Sequence, residues 1–278
     1  MLQYRYVYFL LMFTVYILIV CFNSTIVCLI WIHKNLHEPM YIFIAALLLN
    51  SVLYSTNIYP KLLIDVLSEK QIISYSACLV QFFTNYSLGS AEFLLLAAMS
   101  YDRYVSICKP LQYPTIMTKT NICIFLVLAW FLAASVSIHF KGIICNSTVS
   151  KLQCVSRELN IYGLVCFVNF LILPVLFILF TYIRIFIITY RSGREVRRKA
   201  AQTCLPHLIV LVNFSCLGSF DVLLVQMETD FPKIVRLIMS LQTILYHPLF
   251  NPIIYGLKMK EIYKHLRKLF FCCGLTVN

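Results

Sequence analysis

The chain is 278 residues long, 61% hydrophobic and only 12% charged, with a mean hydropathy of +0.84. Such apolarity excludes a water-soluble globular domain and implies a polypeptide that resides in a bilayer. The formal net charge of +12 reads as a membrane-topology signal plus attraction to anionic lipid, so nucleic acid is not an expected partner.

A helix needs about 20 mainly apolar residues to cross the hydrocarbon core. Stretches of that kind fall at about 7–32, 40–64, 78–103, 121–140, 160–188, 203–225 and 234–256. They predict an all-α membrane protein, a seven-helix bundle forming one domain over 1–278. The first run lacks a basic start followed by a small-residue cleavage site, so it reads as helix one and not as a cleaved leader. Fifteen of the 23 Lys and Arg residues, Arg103, Lys199 and Arg267 among them, fall on one side, and eight, including Lys61 and Lys151, on the other. The richer side is predicted to be cytoplasmic and the amino terminus extracellular.

Helix one leads into HKNLHEPMYIF (33–43), where Pro39 sets a turn and helix two starts at once. Helix two carries Asn50, Ser51 and Pro60; prolines recur at Pro174, Pro206, Pro248 and Pro252, where kinks make cavities and hinges. Helix three opens near Cys78 and closes in MSYDRYVSICKPLQYPTIM (99–117). Two ionisable residues at a membrane helix end suggest a polar lock in which Asp102 holds Arg103 until something moves the helices apart. Glu92 lies ten residues earlier, about 15 Å deeper by helix rise, where it must be protonated, paired or facing water. Asn50, Ser51 and Asn251 are its candidate partners in an intramembrane polar network.

Of the twelve cysteines, nine fall in apolar helices or on the predicted cytoplasmic side, as small hydrophobes or reduced thiols. Cys78, Cys145 and Cys154 are left outside. One bridge tying the loop before helix five to Cys78 is expected, with either loop cysteine as its partner. Asn-X-Ser/Thr matches occur at Asn23, Asn85, Asn146 and Asn213, and Asn146 alone sits in a predicted outside loop, as a glycosylation candidate.

The run SGREVRRKAAQTCLPHL (192–208) passes from basic to apolar at the start of helix six. His207 there reads as a packed helix-end histidine or as a switch residue near Arg103; it has no second ligand at metal-binding spacing. Asp221, near the outer end of helix six, is placed to contact a ligand or to be solvated. Helix seven ends in HPLFNPIIYGLK (247–258), where Asn251 can bond the carbonyl freed by Pro252 and Tyr255 can swing with the bent end. The segment 258–273 places Met259, Ile262, Leu266 and Leu269 or Phe270 on one stripe, and predicts an amphipathic helix along the inner leaflet in contact with membrane lipid. Cys272 and Cys273 are palmitoylation candidates.

Four motifs in order, Pro39-Met40-Tyr41, Met99–Pro114, Lys199–Leu208 and Asn251–Tyr255, resemble those of vertebrate odorant receptors within the rhodopsin-like G-protein-coupled family. Gln202, Pro206 and the Gly256–Lys258 ending look like the fish-type branch. Two departures stand out: Ser51 where the wider superfamily usually has an aspartate, and only Cys145 and Cys154 in a shortened second outside loop.

The resemblance implies a plasma-membrane, multi-pass receptor for a small-molecule odorant. It also implies activation of a heterotrimeric G protein with an olfactory-type stimulatory alpha subunit. It assigns the activation switch to Asp102, Arg103, Tyr104, Tyr182, Lys199, His207, Asn251, Pro252 and Tyr255. It places ligand contacts at Phe82, Asn85, Tyr86, Gly89, Ser90, Cys166, Phe167, Phe170, Gly218, Asp221 and Val222. Two alternatives remain: a receptor of the same class for a non-odorant ligand, or a small transporter or channel using Glu92 and Asp221. No nucleophile–base pair, phosphate loop or metal cluster is apparent, so neither enzymatic activity nor a cofactor is expected.

Overall fold

The computed structural model describes residues 2–70, 72–137, 167–191, 193–226 and 248–272. Among them the chain is helical, without strands. The elements are α1 (Leu2–Ile32), a 3-10 turn (Lys34–Leu36), α2 (Pro39–Leu67), α3 (Tyr75–Cys108), a short α4 (Tyr113–Ile116) and α5 (Lys119–Ser137). A π-helical turn (Val168–Ile172) then runs into α6 (Leu173–Tyr190), followed by α7 (Arg194–Gln226), α8 (248–258) and α9 (Lys260–Cys272).

Local chemistry explains the ends. Pro39 occupies the first turn of α2, where its missing N–H costs nothing. Ser74 caps α3 by accepting from the Ala77 amide at 3.3 Å, and Thr118 accepts from the Asn121 amide in the same way at the head of α5. Lys109 ends α3 because Pro110 follows. Several helices outrun their apolar stretches: α1 begins at Leu2, α3 runs on to Cys108, and α7 begins at Arg194. Bilayer thickness limits the apolar part of a helix, while backbone hydrogen bonding carries it on into water. Of the stretch 234–256, only 248–256 lies within the described residues.

Three described helices are long and apolar enough to cross a bilayer by themselves: Arg5–Ile32, Pro39–Leu67 and Val168–Tyr190. Shorter apolar helices cover Lys119–Ser135 and Ala200–Cys216. α3 packs against α2, α5, α6 and α7, and α1 against α2 and α9. The core lies around α3, where Phe43, Leu47, Leu95, Leu96, Ile178 and Leu211 are all buried. The outward faces of α1, α5 and α6 expose Leu10, Leu11, Val127, Phe131, Phe180 and Phe186, an apolar surface suited to lipid.

α9 continues from α8 through Met259, whose amide donates to the Tyr255 carbonyl at 3.0 Å. Met259 and Ile262 are buried and Leu266 packs on the core, while Leu269 is exposed. Three of the stripe residues therefore face the bundle. A Cβ on Gly256 would stand 3.2 Å from Leu266 Cδ1 and 3.5 Å from Ile26 Cδ1, so a bare backbone here lets α9 close against α1.

Candidate functional site

The end of α3 carries a saturated carboxylate. Asp102 is fully buried; its Oδ2 accepts from Arg103 Nε at 2.9 Å and from Nη2, and its Oδ1 accepts from Tyr113 Oη at 2.9 Å. Both oxygens are thereby satisfied, as a buried charge requires. Tyr113, on α4 beyond the spans, was not foreseen; its signal was the turn chemistry of KPLQYP, which folds the chain back beneath α3. Burial, reinforced by the charge of Asp102 and the bond to it, pushes the Tyr113 phenol up, so it remains an O–H donor.

Beside Arg103, nine residues from α2, α3, α7, α8 and the α8–α9 junction enclose a cavity of about 10 Å³, the room one water molecule needs. Arg103, His207 and Tyr255 all line it, with Met40, Ile44 and Pro206 among the rest. Three of the predicted switch residues thus share one space. Tyr182 joins them from α6, its hydroxyl bonded to His207 Nδ1. Tyr255 is buried, and its hydroxyl finds no partner among the described residues. Tyr104 is partly buried at the same end, and the side chain of Lys199 lies outside the described ones.

Deeper in the bundle, Asn251 Nδ2 donates to Ser51 Oγ at 3.2 Å and to Glu92 Oε1 at 3.1 Å. Of the three candidate partners, Asn251 therefore bonds the Glu92 carboxyl. Asn50 turns elsewhere: its Nδ2 donates to the Leu88 carbonyl at 3.0 Å, and its Oδ1 accepts from Trp130 Nε1 at 3.1 Å. The carbonyl that Pro252 deprives of an N–H is that of Pro248, and it accepts from Asn23 Nδ2 on α1 at 2.9 Å. That task was expected of Asn251. The neighbouring helix is the better placed of the two, and the only sequence signal for Asn23 was a lone amide in an apolar run.

At the opposite end of α3, Asn85 and Gly89 share a helix face. Asn85 Oδ1 is buried without a partner among the described residues, and a Cβ added at Gly89 would meet nothing within 4 Å. Ser90, Phe167 and Phe170 are partly buried, and Tyr86 is exposed. The side chains of Phe82, Cys166, Gly218, Asp221 and Val222 fall outside the described ones, as do Cys145, Asn146, Cys154 and Cys273 and the side chain of Cys272. Cys78 is disulfide-bonded, to a partner outside the described residues. Among the described residues there is no group of three or more His, Cys, Asp or Glu able to hold a metal ion.

A family profile described as olfactory receptor matches residues 12–272. The chain belongs to the olfactory receptor family. Human olfactory receptor 2T27 is 32% identical over 98% of this chain and 90% of its own length, and human olfactory receptor 10K1 is 35% identical over 93% and 89%. Squid rhodopsin, in a crystal structure, superposes with a TM-score of 0.79 over 100% of this chain and 89% of its own, at 17% identity. The fold is thus that of rhodopsin. The receptor is a multi-pass plasma-membrane protein that binds small odorants and signals through a G protein, and it is not an enzyme.

Proposed function

We propose that odorant binding at the outer end of α3 drives a rearrangement of the Arg103 end, and that Asp102, Arg103, Tyr113, Tyr182, His207 and Tyr255 are its moving parts. One observation carries this reading: Arg103 is tied to Asp102 while Tyr255, whose buried hydroxyl has no partner among the described residues, lines the same cavity. A buried polar group without a partner costs about 1–3 kcal/mol, so the closed packing is poised against an alternative in which Tyr255 is satisfied. In the active packing Arg103 leaves Asp102 and meets Tyr182, α7 moves outward, and a cleft opens for the G protein. A ligand must prefer that packing by about 5.5 kcal/mol to invert a 1:99 equilibrium, so a weakly discriminating odorant acts as a partial agonist.

In this reading the chain crosses the membrane seven times with its amino terminus outside, and it couples to an olfactory-type stimulatory G protein. Tyr104, Lys199, Asn251 and Pro252 serve the same switch. The odorant contacts Phe82, Asn85, Tyr86, Gly89, Ser90, Cys166, Phe167, Phe170, Gly218, Asp221 and Val222. The open face at Asn85 and Gly89 supports that pocket. The bridge from Cys78 runs to Cys154 or Cys145, Asn146 is glycosylated, and lipid meets α9 and acyl groups on Cys272 and Cys273. Gln202, Pro206 and the Gly256–Lys258 ending support a place in the fish-type branch. Leu111, 95% exposed on the turn beside the lock, supports docking of the G protein at this end.

Cyclic AMP in cells expressing the wild-type chain and Arg103→Ala, screened across amines, acids, aldehydes and amino acids, tests coupling and ligand class together. The variant is expected at the surface but silent; normal signalling from it removes the lock from the mechanism. Asp221→Asn is expected to change the ranking of active ligands at unchanged surface level, and an unaltered ranking removes Asp221 from the pocket.

A further inference from the structure

Two imidazoles meet where the end of α1 faces α9. The ring centroids of His33 and His265 stand 3.9 Å apart, with the planes inclined at 49°, and both side chains are partly buried. His33 Nδ1 lies 3.0 Å from the Leu29 carbonyl oxygen; that oxygen can only accept, so Nδ1 holds the proton and Nε2 keeps a lone pair. Asn35 Nδ2 donates to His265 Nε2 at 3.1 Å, which fixes that ring's own proton on Nδ1. Both imidazoles are neutral in this packing, and acid can charge either one.

The surroundings leave little room for charge. Lys268 and Lys264 of α9 face His265 along with His33, and Glu261 opposes them; Lys34 stands exposed beside His33 in the 3-10 turn. The exposed Asn35 amide can turn its oxygen towards a protonated His265, so the hydrogen bond does not forbid a first proton. A second proton sets two positive rings in contact among lysines, and like charges about 4 Å apart repel strongly in any medium less polar than water. We propose that His33 and His265 form an acid-released clasp: α9 docks against the end of α1 while at most one of the two rings is charged, and lets go when both are. Burial, then His33 and Lys268, hold the His265 imidazole below its ordinary pKa. A ring kept neutral by docking gains a proton on release, so docking is fully present above the ordinary histidine value of about 6.5 and weakens as the pH falls below it. What α9 gives up is the seat of Ile262 and of Leu266, the latter against Gly256. Met259, which lines the Arg103 cavity, leads the chain into α9, so the release is felt beside the switch.

The test is hydrogen exchange, read by mass spectrometry on the purified chain in nanodiscs of neutral lipid, with every rate normalised to the intrinsic rate at its pH. Between about pH 7.5 and about pH 5.5 histidine is the side chain that ordinarily changes charge. If docking excludes only the doubly charged pair, two rings of ordinary pKa lower the protection of α9 by at least about fivefold across that range, while α5 keeps its protection. His265→Gln and His33→Gln should each shrink the step by about half or more, and His37→Gln, whose ring lies on the Trp31 carbonyl, should retain it. A wild type without the step, a step shared by α5, or steps of equal size in both glutamine variants overturn the proposal. Should a glutamine variant be loose already at the higher pH, His265→Phe decides. It keeps a ring against His33 but takes no proton, and a step there equal to that of the wild type overturns the clasp.

Discussion

α1 and α3 are of similar length, 31 and 34 residues, yet they stand in opposite relations to the rest of the bundle. α1 is strongly apolar and leaves Leu10, Leu11, Phe13, Ile17 and Leu18 exposed. α3 is distinctly less apolar and is packed by α2, α5, α6 and α7. In water the more apolar helix would be the central one. In a bilayer lipid is as apolar as leucine, so apolar residues gain little by facing inward, whereas polar ones must find protein partners. Glu92, Ser100 and Asp102 place α3 at the centre, and the same pressure leaves α1 at the rim, held by Asn23.

The contrast is broken most severely at Arg103. If α3 is central because it carries the switch, Arg103→Ala abolishes signalling while the much larger apolar surface of α1 tolerates change. Next in size is Asn251→Leu. Its amide joins Ser51 of α2 to Glu92 of α3, and losing hydrogen bonds to buried groups of this kind costs about 1–3 kcal/mol. The purified variant should melt several degrees lower and reach the surface in reduced amount. An unchanged melting temperature would mean that Glu92 does not hold α3 at the centre.

A smaller effect is expected at Tyr113, where one of three hydrogen bonds to Asp102 is lost and the volume is kept. A hydrogen bond to a charged group contributes about 1.5–3 kcal/mol, and the lock keeps its arginine. Tyr113→Phe should therefore raise basal cyclic AMP, a shift of about tenfold or more in the closed-to-open ratio, without abolishing the odorant response. Basal output equal to the wild type would show that Tyr113 does not hold the lock closed.

Much of this organisation was legible because bilayer physics is written in composition. The apolar stretches pointed to a helical membrane protein, and Asp102 and Arg103, paired in the sequence, are in contact in the fold. Apart from Glu92 with Asn251, pairings between distant helices were not legible. Asn23 with Pro248, Asn50 with Trp130, and Tyr182 with His207 each join residues whose approach depends on helix rotation and tilt, which hydropathy does not encode. Tyr113 escaped for a different reason, since an interfacial tyrosine looks the same in sequence whether it anchors to lipid or reaches a buried carboxylate.

The smallest effect belongs to Leu18, near the middle of α1 and 39% exposed. Leu18→Ile preserves volume and apolarity on a face that touches lipid, so surface level and odorant response should match the wild type within about 0.5 kcal/mol. The informative companion is Leu18→Lys. A lysine at the centre of a membrane helix costs about 2.5–3.5 kcal/mol, whereas the same change on a water-exposed face costs almost nothing. If α1 owes its rim position to lipid, the isoleucine variant behaves as the wild type and the lysine variant fails to reach the surface. A well-expressed lysine variant would place this face of α1 in water or against another protein, and would remove the physical basis for ranking α3 above α1.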